Sequence, residues 1–287
     1  MALPDTSDAD PGLDADPRLV DSHAHLQSDA FADDADEVIA AARVAGVVRL
    51  LIPAWDLVST RSGLDFVRSR GLRTTAGIHP HVAADASEGA WAALRELAAD
   101  GLVVAIGETG LDYDRGFSPR EAQLANLRQH IRLAGDLGKP LILHCRSAPG
   151  SRDAQDDLVH ELREAGVGEA AWHDRFGDRP PGVLHSFSGP VDYAEQALGM
   201  GLAISFSGLV FRGGEEASAA VALIVPPEQL LVETDAPYLK PRGVRGRRNE
   251  PRHVGVTAAW VRQQRGDDPT VFGAALVAAF DRFVGTG

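Results

Sequence analysis

Val103-Val-Ala-Ile-Gly-Glu108-Thr-Gly-Leu-Asp112 begins as an apolar run and ends in carboxylates. Such a run has to be covered on both faces, as in the strands of an all-parallel sheet. In a closed βα barrel, a polar side chain at the C-terminal end of such a strand enters the mouth where chemistry is done. Working outward, the same grammar recurs. β-like runs are expected at Leu19–Leu26, Gly46–Pro53, Arg73–Pro80, Val103–Asp112, Pro140–Cys145, Gly182–Phe187, Leu202–Gly208 and Leu230–Pro237. Segments such as Asp33–Ala45 and Pro119–Leu137 lie between them, with apolar residues at three- and four-residue spacing, the helical period. Eight strand–helix alternations fit an α/β fold of the (β/α)8 barrel type, in a single domain spanning residues 18–287.

Several of these runs end in metal-ligand residue types. Asp21-Ser-His23-Ala-His25 places two imidazoles two residues apart, hence on one face of an extended chain. Glu108, His144, His185 and Asp235 follow apolar runs in the same way. A lone His-x-His is weak evidence, because interior histidines also pair by hydrogen bonding. The whole set is harder to explain without cations, since burying these groups unpaired costs several kcal/mol (roughly). Four imidazoles and two carboxylates exceed one tetrahedral site, and a bridging carboxylate makes them a site for two divalent ions. Such a pair activates water and stabilises the attacking and leaving oxygens of a phosphoryl displacement.

The motifs Asp21-Ser-His-Ala-His-Leu26, Gly77-Ile-His-Pro80, Gly107-Glu-Thr-Gly-Leu-Asp-Tyr113, His144-Cys-Arg146, His185-Ser-Phe-Ser-Gly189, Glu233-Thr-Asp-Ala-Pro-Tyr-Leu239 and Arg245-Gly-Arg-Arg-Asn-Glu-Pro251 stand in this order along the chain. From Leu19 onward the sequence resembles the TatD family of metal-dependent deoxyribonucleases, within the amidohydrolase-like βα barrels. The resemblance implies that His23, His25, Glu108 and Asp235 hold one ion, and that Glu108 bridges to a second held by His144 and His185. Glu108 and Asp235 would be the catalytic carboxylates, with Asp235 accepting the proton of the attacking water. The implied substrate is DNA, cleaved exonucleolytically, extending to RNA. The sequence departs from the family's pattern at Ser186, where cysteine is common, and in the length of the Ser147–Pro181 connection. That connection is expected to lie over the barrel mouth.

Around these residues, His79 and Arg146 are candidates for binding a substrate phosphate, and His81 is a weaker one. Asp112 and Asp21 are candidates for orienting ligand histidines, and Asn249 and Glu250 for bracing the mouth. Cys145 is read as packed and inert, and His130, His160, His173 and His253 as solvated. The net charge of −13 argues against indiscriminate nucleic-acid binding. A local reversal runs from Lys240 to Arg252, where six basic residues face only Glu250, and Arg245 and Arg247 there are candidates for guiding a polyanion.

Residues 1–17 hold Asp5, Asp8, Asp10, Asp14 and Asp16 without a Lys or Arg, and are expected to be a disordered acidic tail. No basic start followed by an apolar stretch marks a secretory signal, and no run is long enough to span a membrane. With one cysteine, the expectation is a cytoplasmic protein. Mg2+, Mn2+ and Zn2+ are all admitted as the ion, although imidazoles suit the latter two better. Two other functions fit the same ligands. Water activated by a metal also attacks carbonyls, which admits an ester or amide hydrolase such as a D-aminoacyl-tRNA deacylase acting on aminoacyl-tRNA. A catalytically silent metal-binding interaction protein is the other. No lysine ends a strand, which counts against the cyclic-amidohydrolase branch with its carboxylated lysine.

Overall fold

The computed structural model describes residues 18–285, so the expected acidic tail at 1–17 lies outside the described residues. Eight parallel strands pair in sequence order: β1 Leu19–Asp21, β2 Val47–Ile52, β3 Arg73–Ala76, β4 Val103–Asp112, β5 Leu141–Arg146, β6 Gly182–Leu184, β7 Ala203–Phe206 and β8 Leu230–Val232. Leu51, Ala105, Ile106, Ile142, Leu143, Ile204, Leu231 and Val232 are wholly inaccessible. Parallel strands under helices require that double burial, and each such Leu or Ile contributes roughly 1.5–3 kcal/mol. The β8–β1 seam closes through Ser22 N–H to Val232 O (3.1 Å) and a parallel bridge between Ala24 and Ala236.

Helices α1 Ala35–Val44, α2 Leu57–Arg68, α3 Glu88–Ala98, α4 Arg120–Leu137, α5 Asp153–Glu164, α6 Ala170–Phe176, α7 Val191–Gly199, α8 Ser218–Ile224, α9 Val254–Arg265 and α10 Pro269–Val284 surround the strands. Local chemistry sets their starts. Asp56 caps α2 by accepting from Ser59 N–H in a capping box. Asp268 caps α10 ahead of Pro269, whose missing N–H costs nothing at that position.

All the expected β runs contain strands, but β1, β3, β6 and β8 are much shorter than their runs. Past the ends of β1 and β8 the hydrogen bonds change partner: His25 N–H reaches Ala236 O (2.8 Å) and Asp235 N–H reaches His23 O (2.9 Å). His23, His25, His185 and Asp235 therefore lie just beyond the regular ladders, while Glu108 and His144 stand within β4 and β5.

The Ser147–Pro181 connection does not lie over the mouth as expected. Only the segment before α5 is on the strand-to-helix side. The rest, α6 included, follows α5 toward the start of β6 and packs at the opposite end of the barrel. There Arg175 donates to Gly135 O (2.8 Å) at the end of α4, and Arg179 donates to Phe283 O (3.0 Å) at the end of α10. The extra length is a helix-to-strand insertion, which the barrel carries on its base.

Candidate metal centre

Glu108 sits where β4 slips register against β5. Ile106 pairs with Leu141 and Thr109 with Leu143, so β4 gains one residue in that interval. This local bulge re-aims a side chain, as bulges beside functional sites do. Glu108 N–H donates to Ala54 O (2.7 Å), and the Thr75 hydroxyl links Ala54 N–H to Gly107 O. Gly77 and Gly107 approach so closely that a Cβ on Gly77 would collide with the Gly107 backbone. Gly110 has φ +136°, and a Cβ there would strike His144 O. Side chains at these positions would push β3, β4 and β5 apart beneath the carboxylate.

The two oxygens of Glu108 face two groups. Oε2 lies 3.2 Å from His23 Nε2 and 4.0 Å from His25 Nε2. Asp235 Oδ1 completes that side, 3.4 Å from His25 Nε2 and 3.9 Å from His23 Nε2. Oε1 lies 2.9 Å from His185 Nε2 and 3.2 Å from His144 Nδ1, which are 3.3 Å from each other. Donors held tetrahedrally at about 2.0–2.2 Å from an ion are about 3.4 Å apart. Both groups match that spacing, and all six residues expected as ligands are brought together.

Outer hydrogen bonds fix which nitrogen points inward. His25 Nδ1 is 3.2 Å from Pro53 O, His185 Nδ1 is 3.1 Å from Glu233 Oε1, and His144 Nε2 is 3.2 Å from Asp112 Oδ2. Each of these nitrogens faces an acceptor and donates its proton outward, so the inner nitrogen is the one that would offer a lone pair to an ion. His23 differs: both ring nitrogens are buried without a hydrogen-bond partner. A buried imidazole left in that state fits a divalent cation, since an unpaired polar atom otherwise costs free energy.

Electrostatics agree. Burial pushes the Glu108 carboxyl up, but His185, His79 and His23 with a bond from His144 outweigh it and hold the group well below its ordinary range. Asp235 is likewise held low against burial by its bond to His25 and the nearby imidazoles. Burial depresses His23. His185 is raised, its burial overcome by Glu108 and Glu233. Concentrated opposite charge in a buried cleft is the environment in which functional groups are perturbed.

Asp112 is buried, and its Oδ2 takes both His144 Nε2 and His81 Nε2 (2.8 Å) while Oδ1 accepts from Arg115 N–H (2.8 Å). These bonds keep it far below the usual carboxylate range despite burial. It holds the ring of His144, one of the expected ligands. Asp21 does not touch a ring: it accepts from Thr234 N–H (2.9 Å), the Thr234 hydroxyl (2.6 Å) and His23 N–H (3.3 Å), tying the β8–β1 seam by its backbone. Its burial raises it to about 7.

His79, His81 and His144 form a further grouping with metal-ligand potential. It shares His144, whose Nδ1 already faces Glu108 and whose Nε2 is satisfied by Asp112. A cation there would need a fully deprotonated ring, so the grouping reads as a hydrogen-bonded flank. His79 directs Nε2 at Glu108 Oε1 (3.1 Å) and accepts at Nδ1 from His81 N–H (3.1 Å). Burial lowers it to about 4, so it is a neutral N–H donor at the mouth.

Arg146 is at the rim, paired with Asp114 at 2.9 Å. Asn249 braces the loop after β8 by donating to Thr234 O (2.8 Å), and Glu250 forms a capping box with His253. Arg248 and Arg252 are taken up by Asp34 and Glu250. Arg245 and Arg247 are exposed and have no ion pair among the described residues. Cys145 is packed, its thiol pushed up to about 12 by burial.

Two residues escaped the sequence reading. Glu233 is wholly buried against His185, and its place two residues before Asp235 was the signal that both face inward. His130 was expected to be solvated but is fully buried on α4. Its Nε2 accepts from Ile78 N–H (3.0 Å) and its Nδ1 donates to Asn126 O (2.8 Å), which pins the backbone just before His79. A helix shows its buried face by apolar spacing, and a polar residue on that face is invisible to that pattern. His160 and His173 are exposed as expected, whereas His253, also expected to be solvated, is half-buried with Nδ1 3.2 Å from Glu250 N and 3.1 Å from Asn249 Oδ1.

Among the described residues, no helix is long and apolar enough to cross a membrane. The family model described as TatD related DNase matches residues 20–285. A Cronobacter sakazakii protein named 3'-5' ssDNA/RNA exonuclease TatD is 37% identical over 258 residues, covering 88% of this chain and 92% of the relative. A Bacillus subtilis protein named uncharacterized metal-dependent hydrolase YabD is 34% identical, covering 84% of this chain and 88% of the relative. The crystal structure of YJJV, a TatD homolog from Escherichia coli, superposes with a TM-score of 0.80 at 24% identity, covering 94% of this chain and 99% of that one, and attests the fold. The chain belongs to the TatD related DNase family and is, by that membership, a hydrolase of the nuclease class.

Proposed function

We propose that the protein removes nucleotides from an end of single-stranded DNA, and of RNA, by hydrolysing phosphodiester bonds with two divalent cations. The observation that carries this is Glu108, whose two carboxylate oxygens face separate imidazole groups in the barrel mouth. The relatives named as 3'-5' ssDNA/RNA exonucleases support the substrate class and the direction. His23, His25 and Asp235 would hold one ion, His144 and His185 the other, and Glu108 both. The donor set suits Mn2+ or Zn2+ better than Mg2+, which prefers oxygen. A cytoplasmic setting fits a chain with a single cysteine.

When bound, the cations supply Lewis acidity toward the phosphoryl oxygens and ease ionisation of the attacking water. The remaining steps belong to the chain. Asp235, its carboxyl held low by His25 and the nearby imidazoles, accepts the water proton on its carboxylate. His79 donates its Nε2–H to a non-bridging phosphate oxygen in place of Glu108. Arg146 exchanges part of its pairing with Asp114 for the incoming phosphate. Arg245 and Arg247, free of acidic partners, draw the polyanion to an otherwise acidic molecule.

The test is hydrolysis of 3′- and 5′-labelled single-stranded DNA, matching RNA and an acylated tRNA, each with Mn2+ and with EDTA. Stepwise, EDTA-sensitive shortening from the 3′ end upholds the reading. Release of the amino acid with the chain intact would replace it with the ester-hydrolase alternative.

A further inference from the structure

Among the described residues, two of the most exposed large apolar side chains are aromatic, and both stand at the mouth. Tyr238 is 62% exposed and Phe117 is 67% exposed. The other strongly exposed large apolar side chains among the described residues are aliphatic. Tyr238 follows Asp235 in the loop after β8. Its ring lies 6.1 Å from the His25 ring, at 69° to it. Trp55, half-buried in the loop after β2, approaches the same imidazole at 5.2 Å and 78°. Phe117, in the loop after β4, stands edge-on to His81 at 4.8 Å. His81 is bound through Asp112 to His144. One aromatic pair therefore flanks the His23/His25 group and a third ring flanks the His144/His185 group.

Two of these rings, Tyr238 and Trp55, sit on restrained backbone. Tyr238 N–H donates to Asp235 O (2.8 Å), and Trp55 O accepts from His79 N–H (2.8 Å) while Trp55 N–H donates to Ser59 Oγ (2.9 Å). An exposed ring without a stacking partner, held rigidly beside a phosphate-cleaving centre, offers a π-face to whatever carries the phosphate. Carbohydrate or peptide would not follow from the cluster's chemistry; a nucleobase does, because every base has a π-face and stacking tolerates any sequence. In a duplex those faces are covered by neighbouring bases, so only unpaired bases can use the rings.

We infer that Tyr238, Trp55 and Phe117 form a stacking rim that takes unpaired nucleobases on both sides of the scissile phosphate. This rests on the nuclease reading above and adds to it how single strands are chosen. The metal cluster would supply the cleavage and the rim the discrimination.

The experiment measures binding of the metal-loaded protein to a single strand ending in 3′-terminal 2-aminopurine, joined by a phosphorothioate linkage to slow cleavage. A matched strand ends in tetrahydrofuran abasic residues. Hydrolysis of the same strands with ordinary linkages is measured in parallel. Fluorescence quenching on binding, and about tenfold preference for the base-bearing strand, are expected of the unaltered protein. Tyr238→Ala and Phe117→Ala should each shrink that preference and the quenching, whereas Tyr238→Phe, which keeps the ring face, should retain both. Equal affinity for base-bearing and abasic strands would overturn the rim. So would Tyr238→Phe behaving like Tyr238→Ala. Quenching without hydrolysis would uphold the rim and sink the nuclease reading; hydrolysis indifferent to the base would do the reverse.

Discussion

Asp112→Asn should weaken one ion and spare the other. Asp112 Oδ1 accepts from the Asp114 and Arg115 N–H groups (3.1 and 2.8 Å), so an asparagine oxygen placed there keeps the loop after β4 intact. The amide nitrogen then replaces Oδ2, 3.2 Å from His144 Nε2 and 2.8 Å from His81 Nε2. A donor now faces a donor. His144 relieves the conflict by moving its proton to Nδ1, the nitrogen that faces Glu108 and His185, and thereby loses its inward lone pair. Loss of such an outer partner typically weakens a metal about 10–100-fold, or about 1.4–2.7 kcal/mol. The group of His23, His25 and Asp235 has no contact with Asp112, so its ion should change affinity less than about threefold. Calorimetric titration of the metal-free protein with Mn2+ resolves the two steps, and the step belonging to the His144/His185 ion alone should move. Equal weakening of both steps, or of neither, would refute the tautomer argument and with it the assignment of His144 Nδ1 as the inward donor.

Glu108→Ala should release both ions and abolish hydrolysis with the barrel still folded, checked by metal analysis and circular dichroism. Asp235→Asn keeps shape and loses basicity; kcat should fall at least about a hundredfold with metal still bound, and activity within tenfold of the unaltered protein would exclude Asp235 as proton acceptor. Charge reversal at Arg245 and Arg247 should raise KM for an oligonucleotide and reduce the slope of log K against log salt by about 1.4, roughly 0.7 for each lost phosphate contact; an unchanged slope would leave these arginines no guiding role. His130 sits at about 4 in the fold, from burial, against 6.5 for an ordinary histidine. The unfolded chain takes up that proton first, so the contribution is complete above pH 6.5 and is lost as pH falls toward 4, by about 3 kcal/mol. Urea unfolding of the metal-free protein at pH 7.5 and 4.5 should show that loss, and His130→Gln should remove most of it.

The barrel was legible because most of its strands are largely buried runs and several of them end in a chemically conspicuous residue. Ile142 and Leu143 before His144, and Leu231 and Val232 before Asp235, announce burial and mouth together. The convergence of the ligands followed from the topology alone. What escaped was set by direction and by neighbours. The connection holding α6 was long in the sequence, but length does not say which side of a helix the excess follows, and it followed α5 to the base. Asp21 carries the right chemistry to hold an imidazole, yet a short side chain at the seam finds the Thr234 amide first. His130 and Glu233 hold function in place from buried polar positions, where apolar periodicity has nothing to register.

The placement of α6 has a practical side. Asp174 lies exposed on that helix, at the end of the barrel away from the metal cluster. The chain's one cysteine, Cys145, has its thiol pushed up to about 12. An exposed thiol ionises near about 8.5, so at neutral pH it is over about a thousandfold more ionised than Cys145. Asp174→Cys would therefore carry a fluorophore at a single defined point without removing the native thiol. Attached to a surface through that point, the barrel would present its open mouth outward, every molecule facing the same way.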